Sequence, residues 1–345
     1  MTTGRAAVVG LGGMGLRHLQ ALRSAGLETI AVCDRQESRF DEARPLCAKG
    51  VQTFSDWRRL IDAEAGRLDL LVVAPNGPSH HPLTVAAASA GVRHLLCEKP
   101  MATSGAKARE MAEACRKSGA RLAINHSRRF AERFIRLREL VRSGRIGELL
   151  HVNVSAGAGG VGCIGTHYFD LVSWLADAAP ASVVGTIDSD PAPNVRGAEF
   201  FDPGGRGFVS YANGLTASYQ LSGRAPVMPL LQIVCSEGYA EFVGWAAPGW
   251  RIEAFARPAA QRGELKTRSI APERFAFDPG PPLDLVDAAR RCIEDLVGPH
   301  RENTVPSGIA SVDTVIGFHL SSARGGAAVT LPLTGEDLAV DVPIT

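Results

Sequence analysis

Apolar and polar positions change rhythm along this chain near residue 125. Before that point, short β-branched runs alternate with amphipathic stretches, the texture of βαβ units. The runs Arg5–Val9, Glu28–Cys33, Leu68–Ala74, His94–Cys97 and Arg121–Asn125 predict strands, and Leu16–Ser24 and Ala106–Ser118 predict two of the intervening helices. Leu70-Leu71-Val72-Val73-Ala74 is apolar at every position, which suits a parallel strand covered on both faces. The first part therefore reads as a doubly wound parallel sheet.

A helical segment, Phe130–Ser143, marks the change. Beyond it come longer alternating strands at Leu149–Ser155, Ser182–Ile187, Gly207–Ala212, Leu215–Leu221, Leu231–Cys235 and Arg251–Phe255. Asn213-Gly214 between two of them is a hairpin signal, so this second sheet is expected to be open and mostly antiparallel. A proline-rich stretch at 271–282 precedes helices over Leu283–Val297 and Ile309–Arg324 and a last strand at Ala328–Leu331. The expectation is an α/β protein with domains at 1–125 and 126–345, a division that suits 345 residues because one core rarely organises so many.

Charge narrows the partner class. Lys plus Arg number 37 against 36 Asp plus Glu, so no net field draws the protein to nucleic acid or an anionic membrane, and the ligand is expected to be small. The seven cysteines are scattered, odd in number and never spaced as C-x-x-C, which favours free thiols in a reducing compartment, the cytoplasm, over disulfides or zinc. No apolar run approaches the roughly 20 residues of a membrane span, and none looks like a signal peptide. No H-x-x-x-H helix pair suggests a metal.

Gly10-Leu11-Gly12-Gly13-Met14-Gly15 follows a predicted strand and opens a predicted helix, the context a G-x-G-x-x-G dinucleotide turn requires. Gly10 permits the tight turn, Gly12 lets backbone approach a diphosphate, and Gly15 lets helix and strand pack closely. A glycine-rich turn without a ligand is the plain alternative, but Asp34 ends the second strand 19 residues past Gly15, where an acid binds both adenosine ribose hydroxyls. That acid favours NAD over NADP. Arg35, directly after it, is either a partner for a 2′-phosphate and adenine or a solvated surface charge.

From Leu71 to Ala102 the chain reads LVVAPNGPSHHPLTVAAASAGVRHLLCEKPMA, and here it closely resembles the Gfo/Idh/MocA family of glucose-fructose oxidoreductase and inositol dehydrogenase relatives. Glu98-Lys99-Pro100 is that family's signature, and Pro75-Asn76, NHSRRF at 125–130, GRIGE at 144–148, GTHYFD at 165–170 and VTLPL at 329–333 follow its order. The resemblance implies a Rossmann domain and a second α/β domain for substrate and oligomerisation. It also implies a hydroxyl–ketone oxidoreductase acting on a sugar, cyclitol or nucleotide-linked sugar.

By that resemblance Lys99 lies beside nicotinamide and the reacting oxygen, often before a cis Pro100, and His167 is the general acid/base. Without the family, Lys99 is a loop lysine and His167 a structural group. Asp170, one turn after His167, orients it or touches substrate, or else is a helix-surface group. Many relatives carry an aspartate four residues before the histidine; this chain has Cys163 there, a poor substitute for a carboxylate, so either His167 and Lys99 suffice, or Asp170 takes over the proton, or the chain has shifted from dehydrogenation to another reaction.

The resemblance places Gly13, Met14, Pro75, Asn76, His81 and Glu98 on the cofactor, His81 ranking above His80. Arg128 and Arg129 suit an anionic group or interdomain ion pairs. Substrate choice is expected in loops 155–162 and 222–229. Two other readings share the fold: an NAD-requiring glycoside hydrolase or lyase, and a non-catalytic dinucleotide sensor. Relatives pair open sheets face to face, so a homodimer or homotetramer is expected.

Overall fold

The structure is a computed structural model that describes residues 4–157, 159–189, 194, 197, 200–225, 229–244, 251–258, 262, 271–298, 302 and 304–344. Its contacts divide the chain into two compact units, Met1–Phe130 with Asp284–Val312 and Leu338–Thr345, and Ala131–Leu283 with Asp313–Asp337.

The first unit is built on β1 (Arg5–Val9), β2 (Glu28–Cys33), β3 (Gln52–Phe54), β4 (Leu70–Val73), β5 (His94–Cys97) and β6 (Arg121–Ile124). They form one parallel sheet in the order β3-β2-β1-β4-β5-β6. This is the doubly wound order, with its topological switch between β1 and β4. All four residues of β4 are buried, as their unbroken apolar run requires.

Helices α1 (Gly13–Ser24), α2 (Ser38–Ala43), α3 (Trp57–Glu64), α4 (Gly77–Ser89) and α5 (Gly105–Ser118) follow the strands. The Ser104 side chain caps the start of α5 by accepting from Lys107 N–H at 3.2 Å, and Gly119 ends it with a positive φ of 74°.

The second unit begins with α6 (Glu132–Arg142) and continues through β7 (Leu149–Gly157), a π-helical turn at Val161–Gly165 and α7 (Thr166–Ala176). Then come β8 (Pro180–Ile187), β9 (Gly205–Tyr211), β10 (Thr216–Ser222), β11 (Leu230–Cys235), β12 (Gly238–Val243), β13 (Arg251–Ala256) and β14 (Glu273–Phe275). The remaining elements are α8 (Leu285–Val297), α9 (Val305–Ala323) and β15 (Val329–Thr330).

The nine-stranded sheet runs β14-β13-β12-β11-β7-β10-β9-β8-β15, and every pairing is antiparallel except β7 with β10. Burial alternates along β9, β10, β11 and β12, so one face is packed and the other open. On the packed face, Phe169 of α7 lies edge-on to Tyr219 of β10, ring centroids 4.8 Å apart, and stacks on Phe318 of α9 at 5.5 Å.

The single boundary near 125 differs from this division, because the chain re-enters the first unit. The apolar stripe of α8 (Ala288, Ala289, Cys292, Ile293, Leu296) is buried, and the helix packs on α1, β5 and β6. Thr304 Oγ1 accepts from Ile124 N–H on edge strand β6 at 2.7 Å, and Val342 N–H donates to Thr103 O at 3.0 Å. Strands β3, β12 and β14 also go beyond the sequence expectation. Two of them have three residues, and β12 opens on a glycine that weakens its alternation.

Candidate functional site

The glycine turn joins β1 to α1 at the carboxyl end of the parallel sheet. Gly10 has φ +90°, and a Cβ there would stand 2.3 Å from Ala74 O, where β4 ends. A Cβ on Gly15 would come 1.9 Å from Gly10 O, so only glycine lets α1 start so close to the turn. Gly12 is the opposite case: nothing lies within 4 Å of its Cβ position. Gly12 also caps α1 without a side-chain hydrogen bond, and Gly13 and the half-buried Met14 form the first turn.

Glycine is therefore required sterically at Gly10 and Gly15, whereas the space over Gly12 and the N–H groups of α1 fit a diphosphate. Asp34, at the end of β2, accepts from Leu11 N–H at 2.7 Å through one oxygen and from Gln36 N–H at 2.9 Å through the other. Those two bonds fix its carboxylate against the glycine turn, and each oxygen keeps a lone pair for a ribose hydroxyl. Arg35 beside it is exposed.

Pro75-Asn76 follows β4, on the far side of the switch point. Asn76 caps α4 at its backbone and accepts the Ser79 hydroxyl proton through Oδ1 at 2.6 Å. The two adjacent histidines of α4 go to different places. His81, expected at the cofactor, instead pairs through Nε2 with Glu110 on α5 at 2.7 Å. His80 is fully buried, with Nδ1 2.8 Å from Pro100 O and Nε2 3.3 Å from Pro75 O. The ring faces both carbonyls, and burial pushes its pKa down despite them. It ties the end of β4 to the Lys99-Pro100 turn, whose peptide bond is cis.

Glu98 and Lys99 follow β5 and are both buried. Glu98 Oε1 accepts from Asn125 Nδ2 at 2.7 Å and lies 2.7 Å from His18 Nε2 on α1. Its Oε2 accepts the Lys99 N–H at 3.3 Å. Burial opposes the charge of Glu98, but the His18 and Asn125 bonds and the nearby Lys99 outweigh it and hold the carboxyl at about 2. Both oxygens are thus engaged by protein donors. His18 went unnoticed in the sequence because it acts through Glu98, 80 positions away. Arg128 and Arg129 are buried in a 3₁₀ turn at Ser127–Phe130, and Arg129 pairs with Glu302 of the same unit at 3.4 Å.

The second unit carries Cys163, His167 and Asp170. Cys163 lies in the π-helical turn and His167 in the first turn of α7. Every backbone N–H from Gly160 to Cys163 is taken by the loop before β9. Asp202 accepts from Gly162 N–H (2.7 Å), Cys163 N–H (2.9 Å) and Gly160 N–H (3.2 Å), and Pro203 O accepts from Val161 N–H (2.9 Å). Asp202 is a second residue without a sequence signal, 39 positions from Cys163. Asp170 is buried near Tyr211, whose hydroxyl is 2.8 Å from that of Tyr219. Burial, reinforced by the Asp170 charge, pushes the Tyr211 phenol up. Of the loops expected to choose substrate, residues 158 and 226–228 lie outside the described residues. Among the described residues, no group of three or more His, Cys, Asp or Glu is placed to hold a metal, and no helix is long and apolar enough to cross a membrane.

Residues 4–126 match the sequence model of an oxidoreductase family with an NAD-binding Rossmann fold. Inositol 2-dehydrogenase of Salmonella typhimurium is 30% identical over 152 residues, 43% of this chain and 44% of that protein. The rhizopine catabolism protein MocA of Rhizobium meliloti is 30% identical over 213 residues, 57% of this chain and 65% of that one. These matches therefore span about half to two thirds of the curated relatives. A solved levoglucosan dehydrogenase, in complex with NADH and L-sorbose, has the same fold at a TM-score of 0.78 and 18% identity, covering 97% of this chain and all of that one. Through residues 4–126 the chain is similar to the Gfo/Idh/MocA oxidoreductases and carries an NAD-binding Rossmann fold.

Proposed function

We propose that this protein is an NAD-dependent oxidoreductase that interconverts a hydroxyl and a ketone on a sugar, a cyclitol or a nucleotide-linked sugar. The observation that carries the reading is the buried Lys99 turn, held at the carboxyl end of the same parallel sheet that presents the glycine turn. The named activities of the inositol dehydrogenase and levoglucosan dehydrogenase relatives support this substrate class.

When bound, NAD supplies the two-electron acceptor or donor. Gly12 and the start of α1 seat its diphosphate, Asp34 its adenosine ribose, and Pro75-Asn76 the segment beyond. Asp34 favours NAD, and Arg35 leaves room for NADP. Lys99 stabilises negative charge on the reacting oxygen, and its burial strengthens that charge by excluding water. His167 takes or returns the hydroxyl proton, with Asp170 positioning its helix turn. Cys163 leaves this proton transfer to His167 alone. Arg128 and Cys163 complete the substrate contacts. The seven free thiols suit a cytoplasmic location.

The open face of the second sheet exposes Val184, Phe208 and Leu230, and we assign it to pairing with a second copy, in a homodimer or homotetramer. The deciding experiment is fluorescence titration with NADH and NADPH, followed by a panel of inositols, sugars and nucleotide sugars. Tight NADH binding with substrate-dependent redox change supports the proposal. Binding with glycosidic cleavage and no net NADH change identifies a hydrolase or lyase, and binding without turnover a sensor.

A further inference from the structure

His18 is fully buried on α1, six residues after Gly12. Its ring makes one hydrogen bond, Nε2 to Glu98, and Nδ1 is buried without a partner. Asn125 likewise spends Nδ2 on Glu98 and leaves Oδ1 buried and unpaired. Orphaned polar atoms in a core cost stability, and apolar side chains of similar volume would fill such positions at no loss. Stability alone therefore does not account for this pair.

Its place in the unit does. The helix that starts at the glycine turn is stiff, and one imidazole and one carboxylate connect it to the backbone N–H of Lys99. On the other side His80 holds the carbonyl of Pro100 at 2.8 Å. The lysine turn is thus braced from α1 through Glu98 and from α4 through His80.

We infer that His18 and Glu98 are positioning residues that couple the seating of a dinucleotide's diphosphate on α1 to the placement of Lys99. A diphosphate drawn to the N-terminus of α1 fixes that helix, and the His18–Glu98 contact carries the constraint to the lysine turn. This inference rests on the cofactor reading above.

The test is the rate of Lys99 acetylation by acetic anhydride, read by peptide mass spectrometry with and without saturating NADH, alongside NADH affinity by fluorescence. In the native protein NADH should slow acetylation about tenfold, a usual size for coupling between sites. In His18→Leu, NADH should bind within about threefold of the native affinity, while protection of Lys99 falls below about twofold. His18→Gln keeps a donor and should recover part of the protection. Equal protection in the native protein and His18→Leu overturns the inference, as does loss of NADH binding in His18→Leu, which would make the pair a plain structural element. Failure of the native protein to bind NADH would instead remove the cofactor reading itself.

Discussion

Gly12 and Gly15 are the same residue type doing different work, and substitution separates them. Gly15→Ala drives a methyl into Gly10 O and should cost about 3 kcal/mol or more, with a large drop in Tm. Gly12→Ala meets open space at an extended backbone, so stability should stay within about 0.5 kcal/mol. NADH affinity should nevertheless fall about tenfold, because the methyl occupies the diphosphate's approach. Equal NADH affinity in Gly12→Ala and the native protein would contradict the seat assigned here.

Glu98 makes a separate, pH-dependent forecast. Its carboxyl titrates at about 2 in the folded protein against an ordinary 4.5, so its stabilisation is complete above pH 4.5 and is lost as pH falls through about 2. Urea unfolding of Glu98→Gln should show a deficit on the order of 1–3 kcal/mol at pH 7 that closes towards pH 2. The sequence displays Glu98 inside a recognisable tripeptide, but not His18, 80 positions away, whose role exists only after folding. His80 and His81 show the same limit: neighbours in sequence, they point about 100° apart on a helix, and burial decides which one braces the turn.

Among the elements, β1, β2 and β5 coincide with the apolar runs, because strands buried on both faces write themselves as continuous hydrophobic stretches. Helix α4 carries Pro82 and no polar face that would mark a helical period, so its sequence announces the motif residues better than the helix. The boundaries of α8 were legible, but not its allegiance. An amphipathic stripe tells that a helix packs, not on what. Asp284 starts α8 by accepting from Val286 N–H at 2.8 Å and Asp287 N–H at 3.2 Å. Asp284→Ala should lower stability by about 1 kcal/mol in urea unfolding. Hydrogen exchange should quicken in the first turn of α8, while the sheet of the second unit keeps its protection.

At the scale of the whole molecule, the parallel and mixed sheets were each legible as a change of rhythm, while the return of the chain to the first unit was not, since contacts across 150 or more residues leave no local periodicity. The open face of the second sheet carries its own forecast: Phe208→Glu, at a side chain 60% exposed, should shift the protein to monomer in sedimentation velocity while leaving its circular dichroism unchanged. A fragment of residues 1–125 carries every glycine of the dinucleotide turn yet lacks α8, Thr304 and Val342. It should expose the α1 surface that α8 covers and bind a hydrophobic dye. During translation the same gap opens in time. The first sheet emerges from the ribosome early and waits for α8 while 172 further residues, 126 to 297, are made. At about 5–20 residues per second that is roughly ten to thirty seconds, in which the nascent dinucleotide half is the part of the chain most in need of a chaperone.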